Sequence, residues 1–168
     1  VICDVFWGLG YPNHYLLYKE GAITPFVDNN TMIDLMAYPE GFKDPKRVSQ
    51  PTYQFPLCIG YNTLLVTEAE APKNYEDLAD PKWKGKIAFD RPSILMASGF
   101  LFAELSPLWG EERWTTIMKG IAANDPILTE TVADAFQKIL AGEAAVGIVV
   151  CNDYISAKEK GIEVIEIN

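Results

Sequence analysis

The sequence has little of what acid, base or nucleophilic catalysis usually requires. It contains one histidine and three cysteines in 168 residues. A Ser-His-Asp catalytic set needs a histidine, but His14 follows Pro12 and Asn13 at the start of a short predicted helix, and no Gly-x-Ser-x-Gly turn occurs in the chain. The cysteines are too scattered for a zinc site and too few for a disulfide scaffold, so we expect them to be small buried residues within strands. We therefore predict that the protein is not an enzyme and uses no cofactor.

Positive charge and long apolar runs are also scarce. The chain has 14 Lys and Arg against 23 Asp and Glu, which gives a net charge of −9. Such a chain repels phosphate backbones and anionic lipid surfaces at long range, so nucleic acid is not an expected partner. The longest apolar run, residues 94–102, is far shorter than the roughly 20 residues that cross a bilayer and predicts a buried helix. No export signal is recognisable at Val1, and we expect any such signal to lie outside this chain.

An alternation of strands and helices is what the sequence does contain. Apolar and β-branched runs predict strands at residues 1–7, 55–66, 86–89, 144–150 and 162–167. Periodicity and capping residues predict helices at residues 15–18, 74–78, 94–105, 111–121 and 131–140, with a helical turn at 154–160. The continuous apolar run at 144–150 is typical of a parallel strand covered on both faces. The pattern predicts an α/β fold.

Domain organisation and a binding site follow from the same pattern. Residues 28–52 are polar and rich in turns, so we expect residues 1–51 to form part of one lobe and its connection, and residues 52–168 to form a second lobe. Polar residues recur where a predicted strand ends and a helix begins, which in open α/β sheets is where the ligand crevice lies. Each could equally be an ordinary cap or turn. The predicted ligand-binding residues are Trp7, Gly8, Asp90, Arg91, Ser93, Thr129, Thr131, Asn152, Asp153 and Tyr154.

Residues 71–87 closely resemble a signature of extracellular solute-binding proteins of the ferric-iron-binding type. They read Ala-Pro-Lys-Asn-Tyr-Glu-Asp-Leu-Ala-Asp-Pro-Lys-Trp-Lys-Gly-Lys-Ile. Tyr61-Asn62-Thr63 stands where that family has a Tyr-Asn-Thr motif, and residues 140–147 resemble its late passage from helix to strand. The resemblance implies the type II periplasmic-binding fold, in which ligand is trapped between two α/β lobes. Because the family's chains are much longer, we expect one nearly complete lobe and part of the other.

The function implied by this resemblance is that of a solute receptor of an ABC importer. Such a receptor is periplasmic, or extracellular and membrane-associated. It captures a small sugar, phosphorylated or amino-organic solute and delivers it to a membrane permease, acting as a monomer and by hinge closure rather than chemistry. The effector-sensing domain of a transcription regulator shares this lobe architecture and is the alternative from another class.

Departures from the family's pattern bear on the ligand. Iron-binding members have adjacent tyrosines after the late strand, where this sequence has Asp153-Tyr154, and an acidic residue after the first strand, where it has Trp7-Gly8. A hard ferric ion prefers several anionic oxygens, so an organic solute is expected. Ferric iron held by Asp153 and Tyr154 remains the alternative. The net charge favours a cationic solute, whereas Arg91 favours a carboxylate or phosphate, so the sign of the ligand stays open.

Overall fold

The computed structural model describes residues 11–25, 44–49, 56–93, 96–153 and 162–165. The chain divides into two compact units, Val1–Gln54 and Phe55–Asn168. The expected boundary after residue 51 lies close to this division, although the assignment of the two parts to two lobes stays a prediction. Within the described ranges, no helix combines the length and apolarity that a membrane span requires.

Helix α1, Tyr11–Lys19, is the described helix of the first unit. It ends before Gly21, whose φ of +70° is readily adopted by glycine. The helix predicted at residues 15–18 is confirmed, and it begins earlier. A nearby turn is held by the Asp44 carboxylate, which accepts the backbone N–H groups of Lys46, Val48 and Ser49 at 2.7–3.0 Å. His14 Nδ1 lies 2.7 Å from Ser49 Oγ, so this histidine has a structural contact.

The second unit is built on a five-stranded mixed sheet in the order β3-β2-β4-β1-β5. Strand β2 is parallel to β3 and β4, whereas β1 is antiparallel to β4 and β5. The strands are β1 Leu57–Asn62, β2 Ile87–Asp90, β3 Ile127–Thr129, β4 Val146–Val150 and β5 Ile162–Ile165. The helices are α2 Ala97–Trp109, α3 Glu111–Ala123 and α4 Val132–Leu140, with short 3₁₀ helices at Tyr75–Ala79, Pro81–Trp83 and Cys151–Asp153.

Both faces of this sheet are covered, which explains the continuous apolar runs of its central strands. Alternate side chains of a strand point to opposite faces. In β4, Val146 and Ile148 join the cluster under α2 and α3, whereas Val149 joins Phe136 and Ile139 under α4. Each such fully buried aliphatic side chain contributes about 1.5–3 kcal/mol relative to exposure.

Helix α4 packs on a part of the sheet in which two facing positions have no side chain. Gly60 of β1 and Gly147 of β4 face each other in the register. A Cβ at Gly147 would lie 2.1 Å from the carbonyl oxygen of Ala88 and 2.8 Å from Ile139 Cδ1. No side chain therefore fits at Gly147, and its absence lets the helix approach the strand closely.

Several sequence-based expectations were wrong in detail. Strand β3 was not predicted, because it has three residues and only one of them is fully buried. Residues 144–150 were expected in a parallel strand, but β4 is parallel only to β2. The apolar run reflects burial on both faces, which a central mixed strand shares. Strand β1 ends at Asn62 rather than at Val66, because residues 63–65 form a turn.

The start of α2 also differs from the expectation. Ser93 was predicted to cap a helix beginning at residue 94, but α2 begins at Ala97 with Met96 at the N-cap and no side-chain cap. The Ser93 backbone instead packs against the helix, since a Cβ at Gly99 would lie 1.7 Å from the Ser93 carbonyl oxygen. Cys58 is buried in β1 as expected, but Cys151 lies in a 3₁₀ helix. Cys3, the turn at 154–160 and the strand at 1–7 lie outside the described residues.

Candidate functional site

Three parallel strands of the second unit end at one edge of the sheet, here called the carboxyl edge. There β2 ends at Asp90, β3 at Thr129 and β4 at Val150. The antiparallel β1 begins at the same edge, where Cys151 N donates to Pro56 O at 2.8 Å. The opposite edge, where β2, β3 and β4 begin, is the amino edge. Ligands of open α/β sheets bind beyond the carboxyl ends of the strands, so the carboxyl edge is the candidate site.

Asp90 anchors helix α2 to the carboxyl edge. Its side chain is completely buried. The carboxylate accepts the backbone N–H of Ser98 at 3.2–3.3 Å and also the Ser98 hydroxyl. Ser98 lies in the first turn of α2, so the carboxylate supplies the cap that the helix otherwise lacks and compensates its positive end. In this structure Asp90 positions the edge and offers no surface to a solute, which departs from its predicted contact with the ligand.

Arg91 joins the ends of β2 and β3. Its backbone N–H donates to the Thr129 carbonyl at 2.9 Å, and its guanidinium lies 3.6 Å from the Glu130 carboxylate. The two side chains are 60% and 84% exposed. Water screens such a pair, which contributes only about 0–1 kcal/mol. The guanidinium can therefore turn toward an incoming anion at little cost.

Thr129 and Thr131 serve the local backbone. Thr129 is buried, and its hydroxyl donates to the Thr131 carbonyl at 2.9 Å. Thr131 is the N-cap of α4: its Oγ1 accepts the Asp134 N–H at 3.1 Å and donates to the Asp134 carboxylate at 2.8 Å. Both residues act as caps here, which was the alternative interpretation of their positions. Together they aim the N-terminus of α4 toward the carboxyl edge.

The structure describes some of the remaining predicted residues and not others. Ser93 is exposed and follows β2, and Asp153 is half-buried in the 3₁₀ helix that follows β4. Trp7, Gly8 and Tyr154 lie outside the described residues, as does the side chain of Asn152. The structure therefore brings Asp90, Arg91, Thr129 and Thr131 together at adjacent strand ends, with Ser93 and Asp153 after the ends of neighbouring strands.

Tyr75 is a feature of the carboxyl edge that the sequence did not reveal. Its hydroxyl donates to the Leu57 carbonyl, at the start of β1, at 3.0 Å. Burial raises the pKa of this phenol well above its usual value, and the nearby thiols of Cys58 and Cys151 raise it further. The group is thus held as a neutral hydrogen-bond donor. The resemblance had marked the segment containing Tyr75 but not this role.

The amino edge carries two buried amides that were also missed. Asn62 Nδ2 donates to the Ile139 carbonyl at the end of α4 at 2.8 Å, and its Oδ1 accepts the Leu64 N–H at 2.9 Å. Asn124 Nδ2 donates to the carbonyls of Leu78 and Asp80 at 2.9 and 2.8 Å. The signal for Asn62 was its place in the Tyr-Asn-Thr motif. These contacts satisfy otherwise unpaired backbone groups at helix ends.

Metal ligands are sparse in the part of the chain that the structure describes. There, no three His, Cys, Asp or Glu side chains lie close enough together to hold an ion. Of the two residues expected to hold ferric iron, Asp153 is half-buried near the carboxyl edge and Tyr154 lies outside the described ranges. The ferric alternative therefore stays a prediction.

Comparison with known proteins gives a consistent picture. A family model described as "Bacterial extracellular solute-binding protein" matches residues 9–167. A curated protein of Haemophilus influenzae, itself uncharacterised, is 26% identical over 165 residues, covering 94% of this chain and 46% of the relative. The chain thus spans about half the length of the curated relative it matches.

Solved structures resemble the chain as well. The ferric binding protein from Campylobacter jejuni superposes with a TM-score of 0.70 at 19% identity, covering 93% of this chain and 52% of that one. The periplasmic binding protein AfuA from Actinobacillus pleuropneumoniae, with fructose-6-phosphate bound, has a TM-score of 0.57 at 27% identity, covering 66% and 36%. The fold is therefore that of the type II periplasmic binding proteins, of which the chain covers a part.

Proposed function

Because the chain belongs to the bacterial extracellular solute-binding protein family, we propose that it is the solute-capturing part of a receptor that serves an ABC importer. The predicted permease partner and the periplasmic or extracellular location are part of this proposal. The family and the fold are those of binding proteins, and the family match favours an exported receptor over the effector-sensing domain of a regulator.

The observation that carries the proposal is the exposed Arg91 at the carboxyl edge, beside the N-terminus of α4. Within the described part of the chain, the guanidinium is held only by a solvent-screened pair with Glu130. A guanidinium matches a carboxylate or phosphate with two parallel hydrogen bonds, and a helix N-terminus favours an anion in the same place. We therefore propose that the solute is a small organic molecule with one anionic group, such as a phosphorylated sugar. The AfuA structure, which has fructose-6-phosphate bound, supports this class.

Calorimetric titration of the complete gene product tests this assignment. The solutes are a hexose phosphate, the parent hexose, a polyamine and ferric citrate. We expect saturable binding of the hexose phosphate and a loss of at least about tenfold in affinity in Arg91→Gln, equivalent to about 1.4 kcal/mol. The parent hexose should bind weakly and be insensitive to the change.

Arg113→Gln is the matched control. Arg113 is an exposed arginine of helix α3 that is paired with Glu76 and, unlike Arg91, does not follow a strand. Its replacement should leave solute affinity unchanged. Equal losses in the two variants would contradict a specific role of Arg91, and binding of none of the four solutes would contradict the receptor assignment.

A ferric-iron receptor is the second candidate, because the chain resembles ferric binding proteins in fold and Asp153 lies at the end of β4. Tight binding of ferric citrate that is lost in Asp153→Asn but retained in Arg91→Gln would favour it. Hexose phosphate binding without a ferric signal would exclude it.

A further inference from the structure

An apolar cavity of about 450 Å³ lies next to the carboxyl edge, on the face of the sheet that α2 and α3 cover. Its walls come from four elements, β2, β3, α2 and α3, so it is concave rather than a flat patch. Its described lining includes Phe89, Phe102, Ala103, Trp114, Ile121 and Leu128. Volumes of about 300–1,000 Å³ are usual for small-molecule pockets.

The floor of this cavity is aromatic and rigid. Phe89 and Phe102 are almost completely buried, and their rings meet edge to face with centroids 5.6 Å apart. Ile121 of α3 is 2% exposed and closes the bottom. A preformed floor of this kind does not have to rearrange to receive a ligand.

The exposure of Leu128, at the rim of the cavity, shows that the described residues leave the cavity open. Leu128 lies opposite Phe89 in the β2–β3 register and so faces the same side of the sheet. Leu128 is nevertheless 41% exposed, whereas Phe89 is 2% exposed. Each Å² of apolar surface left in water costs about 25 cal/mol, so filling the opening with an apolar group is favourable.

The described lining offers a charged ligand no side chain of opposite charge. Trp114 Nε1 already donates to the Phe102 carbonyl at 2.7 Å. The described lining contains no Asp, Glu, Lys, Arg or His. Moving an ion into such surroundings without a partner is costly. The chemistry of the cavity thus selects an uncharged molecule.

We propose that this cavity is a second ligand site, which takes one small uncharged aromatic molecule. The cavity lining begins directly after Arg91, at Pro92 and Ser93, but it does not include Arg91, and the proposal does not depend on the proposed receptor function. An aromatic ring that fills the opening lies above the buried Phe89 and Phe102 and covers the exposed side chain of Leu128.

Titration of the chain with toluene and with benzoate, followed by ligand-detected NMR, tests the site. These probes have the same ring, but benzoate carries a charge. We expect saturable toluene binding with a Kd on the order of 1 mM or tighter, and benzoate binding at least about tenfold weaker. Absence of saturable toluene binding, or equal binding of the two probes, would overturn the proposal.

Filling the cavity gives the decisive comparison. Leu128→Trp places a larger ring at the rim and should abolish toluene binding, while Leu108→Trp, at a 77% exposed leucine of α2 outside the cavity, should leave it unchanged. Ala103→Phe is a second filling variant, at an exposed rim position, in case Leu128→Trp does not fold. Retention of toluene binding in a folded filling variant would show that the probe binds elsewhere and refute the assignment.

Discussion

The two edges of the sheet use polar side chains in opposite ways. At the amino edge, Asn62 and Asn124 are buried, and their side-chain amides form hydrogen bonds with backbone groups of neighbouring turns and helix ends. At the carboxyl edge, the side chains of Arg91 and Glu130 are largely exposed and, among the residues that the structure describes, are paired with each other alone. The difference indicates that the polar groups of one edge are satisfied by the fold itself, whereas the other edge leaves charged groups exposed, where the proposed solute would bind.

This contrast holds even within the carboxyl edge. Asp90 and Thr129 lie deepest there and are buried, and both are committed to the local backbone or to Ser98. The exposed polar residues Arg91, Ser93 and Glu130 lie beyond the strand ends. A supporting layer that is fully satisfied keeps the outer groups in place, which is what a preorganised binding site needs.

The largest loss of stability is expected for a substitution at Gly147, the second residue of β4 from the amino edge. Gly147→Ala should cost about 3 kcal/mol or more, because the new Cβ would overlap the Ala88 carbonyl oxygen. Urea denaturation measures the loss. Gly85→Ala is the control, because Gly85 has φ +68° and a Cβ added there would meet no atom within 4 Å. This variant should lose only about 1–2 kcal/mol of stability, which is the cost of a left-handed backbone conformation in a residue other than glycine. Equal losses would show that the close approach of α4 is not what Gly147 provides.

Asn124→Ala is expected to cost about 2 kcal/mol, since it leaves the carbonyls of Leu78 and Asp80 without their donor. Asn74→Ala, which removes an exposed cap of the 3₁₀ helix Tyr75–Ala79, should cost about 1 kcal/mol. Both are read from chemical denaturation at pH 7. If the buried amide were no more costly to remove than the exposed cap, the amino edge would not be the closed structure described above.

Tyr75 is expected to make the stability of the protein depend on pH in the alkaline range. Because its pKa is raised in the folded protein, the unfolded chain ionises first as pH increases. The stability contribution is complete below about pH 10, the ordinary pKa of tyrosine, and is lost progressively above it. Tyr75→Phe should lose about 1 kcal/mol at pH 7 through the missing bond to Leu57.

The same variant should lose less stability than the wild type between neutral pH and pH values above about 10. Denaturation curves collected across this range provide the measurement. Parallel pH profiles of the two proteins would mean that Tyr75 ionises normally and that its surroundings are wetter than described.

The smallest effects on stability are expected at the exposed pair. Arg91→Ala and Glu130→Ala should each change the free energy of unfolding by less than about 0.5 kcal/mol, because water screens the pair. Thermal and urea denaturation check this. A loss comparable with that of Asn124→Ala would mean that Arg91 is part of the scaffold, and the contrast between the edges would fail.

Strong local signals made much of the second unit predictable. Helix α3 carries Trp114, Ile117 and Ile121 at helical spacing, and the Asn74 cap was evident from residue type. Strand β4 was evident from its apolar run. These features depend on neighbours in sequence, and the structure confirmed each of them.

Features that depend on distant residues could not be found in this way. The pairing of β1 with β4 and β5 joins segments far apart in the chain, and nothing local indicates its antiparallel direction. The burial of Asp90 depends on Ser98, and the role of Asn124 depends on Leu78 and Asp80. Sequence thus placed the candidate residues at strand ends, where the structure also has those that it describes, but it did not distinguish groups that hold the edge from groups that face outward.

The position of β1 in the sheet has a consequence for how the chain acquires its structure. During synthesis β1 is the first strand of the second unit's sheet to be completed, whereas its neighbours β4 and β5 begin only at Val146 and Ile162. Gly60 meets Gly147 across the sheet, so the central pairing closes a long loop. Proteins dominated by such nonlocal pairing fold slowly. We therefore expect the second unit to stay unfolded on the ribosome until nearly all of it has been synthesised. During that interval the chain is still extended and accessible to other proteins of the cell.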